Sequence, residues 1–198
     1  MNGITVTMAI VDYIPVILFF IAAILLLSDL YSKLSKGYYT LLASGSIMVF
    51  MAGTLKATWK ILYALQICDY QALDICFFPM QGIGFVLFFI GLLGMFSKKK
   101  DIKAMSVVPV FVSNMPFIIL QIIGCAGAQF ALVAKSLQMK KKSAAIMFVI
   151  SFIFMLAMGY LSAKFDDSST MHWIAQCTNI VSQGALLSGT IILHKQGF

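Results

Sequence analysis

Apolar residues in this chain do not alternate with polar ones. They run in six long blocks, broken by short polar stretches whose only cations are lysines. The blocks cover about Ala9 to Ser28, Tyr39 to Leu62, Phe77 to Phe96, Met105 to Ala134, Ala144 to Ala163 and Met171 to Leu193. About 20 apolar residues rising ~1.5 Å each cross the hydrocarbon core of a bilayer. Backbone amides in hydrocarbon need partners within their own segment, and at these lengths only helices supply them. The pattern predicts an all-α, polytopic transmembrane helical bundle of six helices, one integral membrane domain with no soluble domain. Tyr13, Tyr38, Tyr39, Trp59 and Trp173 fall near block ends, where interfacial aromatics belong. The first block has no basic residues ahead of it and is long enough to span, so it is expected to remain as a helix.

Composition agrees with a multi-pass protein of the cell membrane. Of 198 residues, 61% are hydrophobic and 11% charged, more apolar surface than a soluble domain of this length could cover. The net charge of +7 comes from lysines and aspartates alone, for the chain has neither arginine nor glutamate. The lysines cluster beside apolar blocks, which points to membrane topology and lipid head-group contact and not to nucleic acid.

Charge and length conflict over the number of crossings. Lys33, Lys36, Lys98, Lys99, Lys100 and Lys103 favour the cytoplasm, while Asp69 and Asp74 place the second loop, and so the N-terminus, outside. Six crossings then divide the lysines 7 to 7, because Lys135, Lys140, Lys141, Lys142 and Lys195 fall outside with Lys56 and Lys60. If the region 104–138 returned to the side it left, the division would be 11 to 3. That favours five or seven crossings, or a re-entrant segment within 104–138. Two full crossings need about 40 residues, however, and this region has 35. Six helices with a break near Asn114–Pro116 are therefore the expectation, with seven as the alternative. A faint repeat accompanies this: Asp12-Tyr13-Ile14-Pro15 is echoed by Ser113-Asn114-Met115-Pro116, and Gln81-Gly82 by Gln183-Gly184. Two three-helix halves, as in many secondary transporters, would produce such echoes.

The last block carries the clearest site signal. His172, Gln176, Asn179, Gln183, Thr190 and His194 recur at steps of three, four or seven, which puts them on one helix face. The fourth block adds Gln121 and Gln129 on a strip with Gly124, Cys125 and Ala128. Carboxamides cannot face lipid unsatisfied, so both strips are expected to face the bundle interior. Amides acting as interhelical glue are the plain structural reading. A stripe of this length also suits a hydrated cavity. Intramembrane charges are functional candidates: Asp12 and either Lys56 or Lys60 lie at matching depths and would allow an ion pair, and Lys56 would lend a cavity positive potential.

Other chemistry is missing. Four cysteines form no metal-ligand spacing, and Cys68 and Cys76 flank a loop where pairing or plain packing are both open. There is no acid pair, metal triad, G-x-S-x-G, H-E-x-x-H or P-loop, so no cofactor is implied. The leading functional expectation is a small permease, or membrane-embedded solute-binding subunit, for a polar uncharged or weakly anionic molecule. Helices two, four and six would line its cavity, with Lys56, Gln121, Gln129, His172, Gln176, Asn179 and Gln183 as ligand-binding residues. The alternative is a non-catalytic sensor or interaction subunit that binds lipid, a further copy of itself or a larger membrane complex. The third reading is an intramembrane lipid-modifying enzyme using His172 beside Asp12, Lys164 or Asp166.

Overall fold

The computed structural model describes residues 5–97, 115–163 and 169–198. The lysines at 98–103, Lys164, Asp166 and the 105–114 part of the fourth block, with Asn114, lie outside the described residues. The described chain is all-helical and has the six long helices that the apolar blocks predict. They are α1 (Val6–Leu30), α2 (Lys36–Ala64), α3 (Ala72–Phe96), α4 (Met115–Gln138), α5 (Lys142–Ala163) and α6 (Ser169–His194). The first four are long and apolar enough to cross a membrane. α5 is apolar over Lys142–Met158, and α6 is diluted by its polar stripe.

Local chemistry sets the boundaries. Thr5 caps α1 by accepting the Met8 N–H at 3.3 Å. α1 is interrupted at Asp12, between Val6–Val11 and Tyr13–Leu30. Pro15 has no N–H to give the Val11 carbonyl, which is why the ladder breaks there. α2 and α4 end alike. Gln66 and Lys140 take left-handed φ values of 55° and 58°, and the next residues return their N–H to Leu62 and Ser136 at 3.1 and 2.9 Å. This is the Schellman closure, here made without glycine.

Each helix packs on its neighbour in sequence, and α6 closes on α1, so the six form a ring. α1 and α2 are antiparallel: Tyr13 meets Thr58 and Phe20 meets Phe50. α2 and α3 are antiparallel with their backbones in close approach. A Cβ on Gly91 would sit 2.6 Å from the Leu42 backbone, and one on Gly45 would sit 2.4 Å from the Phe88 nitrogen. The next pair breaks the alternation. Gly82 abuts Phe117, Gly124 abuts Phe85 and Gly127 abuts Phe89, so residue numbers rise together and α4 runs parallel to α3. α5 reverses again against α6, with Phe148 on Gly189 and Ser151 on Ser182. α6 then lies parallel to α1, since Gln176 bonds Met8 and His194 bonds Asp29.

This geometry resolves the lysine conflict. Ser97 follows α3 at what we call the lower end, and Met115 opens α4 at the upper end. Lys33, Lys36, Lys135, Lys140, Lys141, Lys142 and Lys195 then share the lower end, as the 11-to-3 division requires. Among the described residues the long helices number six, and the second half has the direction of the seven-passage alternative. α1–α3 and α4–α6 consequently run in the same sense, and the two halves meet through the parallel pairs α3–α4 and α6–α1. The core at the centre holds Phe19, Phe85, Phe88, Leu132, Phe148 and Leu186. The C-terminal Phe198 tucks under it at the lower end while Lys33 donates to the Gly197 carbonyl at 3.0 Å.

Two outcomes are expected. In a background free of Cys68, Cys76, Cys125 and Cys177, Lys36→Cys, Lys141→Cys and Lys195→Cys should all react with an impermeant maleimide from one side of the membrane. Reaction of position 141 from the other side would overturn the parallel α3–α4 pair. Gly91→Ala should destabilise the fold by about 1–3 kcal/mol in detergent unfolding, because the methyl group overpacks the α2 backbone.

Candidate functional site

The polar side chains form two groups, a charged rim at the upper end and a chain of amides and hydroxyls inside the ring. At the rim, the ends of α1, α2 and α3 bring opposite charges together. Lys60 pairs with Asp12, their side chains only 17% and 14% exposed. Lys56 lies 3.6 Å from Asp74 and 4.1 Å from the centre of the Phe77 ring, a cation–π contact. Asp12 therefore meets Lys60, and Lys56 turns towards α3. The Trp59 indole donates to Asp69 at 3.0 Å, and Tyr13 and Thr58 hydroxyls meet at 2.7 Å. Asp69 and Asp74, read from the sequence as loop charges that set topology, are the partners of an indole and a lysine. Nothing in their spacing signalled that, because the loop folds back over the end of α2.

Inside the ring, five glutamines dominate. Gln176 is 5% exposed and donates to the Met8 carbonyl at 2.9 Å, binding α6 to α1. Gln129 is 7% exposed and donates to the Ser151 hydroxyl at 2.9 Å, binding α4 to α5. Ser182 donates to the Ser151 carbonyl at 2.9 Å, so three helices converge on one serine. Yet the carboxamide oxygens of Gln81, Gln121, Gln129, Gln176 and Gln183 are all buried without a hydrogen-bond partner among the described residues. A buried acceptor left unmade costs about 1–3 kcal/mol, so five in one bundle call for an explanation.

Two of these oxygens belong to residues around a central void. It lies between Phe19 of α1, Phe85 and Phe88 of α3, Gln129 of α4, Met155 of α5 and Gln183 of α6. The centre of a water-sized sphere can move through ≈ 20 Å³ there, and about 10–15 Å³ suffices to hold one water. Among the described residues α2 gives this void no side chain; Phe19, Phe85 and Phe88 pack against one another on its wall.

The remaining candidates are spread along the stripe. His172 is half-buried on the first turns of α6, and Asn179 is half-buried between Gln176 and Gln183 without lining the void. Gln121 lies on α4, two turns above Gln129. Lower down, Thr190 bonds back to the Leu186 carbonyl and His194 binds Asp29 at 2.7 Å, so this half of the stripe fastens helices. Sequence reasoning missed Ser151 and gave Gln81 no role. Each had a signal, being a lone polar residue deep inside an otherwise apolar block. No group of three metal-binding side chains occurs among the described residues. Cys68, Cys76 and Cys177 are free and exposed, and Cys125 is free and buried beside the void.

Removing one member of the enclosed rim pair should be costly. Lys60→Ala is expected to lower stability by about 3 kcal/mol, since Asp12 stays behind without its counter-charge. The double variant Asp12→Asn with Lys60→Met should recover most of that loss, as read from thermal unfolding in detergent. Comparison with protein-family models, curated proteins and solved structures finds no match to this chain, so its chemistry is argued from the ring alone.

Proposed function

We propose that this chain is a multi-pass membrane permease, or the membrane-embedded solute-binding subunit of one, and that it passes a small polar molecule along the axis of the helix ring. The observation that carries this reading is a central void lined by Gln129 and Gln183, two amides whose oxygens have no partner among the described residues, where the two like-directed halves meet. Repeats running in the same sense and related by an axis along the membrane normal are one way transporters are built, and their sites lie near mid-height at the repeat interface. Gln129 and Gln183 lie near the middle of α4 and α6, the first and third helices of the second half. The surrounding Phe19, Phe85 and Phe88 give an apolar wall with few polar groups, the usual make-up of a small-molecule site. The ion pairs Asp12–Lys60 and Lys56–Asp74 join the upper ends of α1, α2 and α3.

A second reading, a non-catalytic sensor or interaction subunit, draws support from the bonds Gln129–Ser151 and Gln176–Met8, which hold helices together as interhelical glue does. It leaves the five amide oxygens without a purpose. The lipid-modifying enzyme would need an acid beside His172. The histidine–carboxylate pair that the described residues do contain, His194 with Asp29, sits at the lower end and joins α6 to α1.

The test is solute flux in proteoliposomes. Gln183→Leu removes one lining amide and should cut flux about tenfold, the kinetic equivalent of one hydrogen bond of roughly 1.4 kcal/mol. Undiminished flux in a folded variant would remove the axis as the path.

A further inference from the structure

The two ends of the ring treat their lysines differently. At the upper end Lys60 is held by Asp12 and Lys56 by Asp74, so the charge is met within the protein. At the lower end seven described lysines stand against one described carboxylate, Asp29, and that one is bound to His194. None of the seven forms an ion pair among the described residues.

These lysines also stand side by side. Lys36 opens α2 shortly after Lys33, which reaches across to the Gly197 carbonyl beyond the end of α6. Phe148 packed on Gly189 fixes the antiparallel register of α5 and α6 and brings Lys142 level with Lys195. Lys140 and Lys141 form the turn back to α4, whose last turn carries Lys135. The result is an arc over the ends of α2, α1, α6, α5 and α4. Neither α2 nor α5 has an acid in its first turn, so the positive ends of both helices add to the same potential.

Such an arc calls for anions outside the protein, and its apolar neighbours say which. Tyr31 is 72% exposed beside Lys33, and Leu137 is 55% exposed between Lys135 and Lys140. These side chains suit the boundary between head groups and acyl chains, which a soluble acidic partner does not reach. We infer that the lower end of the ring is a docking surface for anionic phospholipid head groups, gathered by the lysine arc from Lys36 round to Lys135. This holds whether or not the ring passes a solute.

The test reconstitutes the full chain in phosphatidylcholine vesicles with trace spin-labelled phosphatidylglycerol or phosphatidylcholine. Electron paramagnetic resonance reads the fraction of each label that the protein restricts. Phosphatidylglycerol is expected to be preferred at least about threefold at low salt, and the preference should vanish in 1 M salt, where the screening length is about 3 Å. Lys140→Gln, Lys141→Gln and Lys142→Gln together should at least halve it. Should that variant not fold, Lys142→Gln with Lys195→Gln should lower it instead. Equal restriction of the two lipids by the folded parent overturns the proposal and leaves the lysines a topological role alone. So does a preference that the folded charge variant keeps in full. Loss of the preference on adding inorganic phosphate at constant ionic strength would assign the arc to free phosphate, and its loss to soluble polyglutamate would assign it to an acidic protein. Either result overturns the lipid assignment.

Discussion

The arrangement of this protein depends on the contact between α3 and α4. Gly82 and Gly124 let those helices touch backbone to backbone, and they do so running in the same direction. Were that pair antiparallel, the second half of the chain would be inverted and half the lysine clusters would move to the other end. With the pair parallel, α6 must also lie parallel to α1 when the ring closes, and it does, through Gln176 and His194. One close approach between glycine and backbone thus settles the side on which the basic loops emerge. It also sets the like sense of the two halves and the place where they meet.

The polar interior follows from a second demand. A carboxamide in a lipid-embedded bundle cannot turn to the hydrocarbon, so each glutamine is driven towards the axis. There the available partners are few. Ser151 serves both Gln129 and Ser182, and the carbonyl of Met8 is accessible to Gln176 near the point where the first helix breaks at Asp12. The donors are accommodated this way. The matching oxygens find no partner among the described residues.

Much of the fold was legible because apolar block length maps directly onto membrane thickness. The six helices fall close to the predicted blocks, and α1 begins slightly earlier because Thr5 caps it. The direction of α4 was not legible from length. It was visible in the lysine division, a softer signal that pointed the right way while the shortness of 104–138 pointed the other. The site was partly readable. The helical periodicity of Gln176 and Gln183 placed them inward, and the spacing of Gln129 from Gln121 put it on an inward strip of the fourth block. Helical period cannot say which neighbour a residue meets, however, so the pairing of Lys56 with Asp74 and the exclusion of α2 from the void were out of reach. The first depends on the way the turn after α2 brings Asp74 and Phe77 of α3 to Lys56.

The Trp59 indole has a consequence of a different kind. The chain has two tryptophans, Trp59 and Trp173, and only Trp59 is buried, with its N–H bound to Asp69 and its ring 5.7 Å from that of Tyr63. Asp69 belongs to the same connecting segment as Asp74, which meets Lys56. Any outward swing of this segment would strip the indole of its acceptor and wet it, shifting its emission to the red. The buried fluorophore is therefore coupled to this segment, and its emission reports whether the segment stays seated on α2.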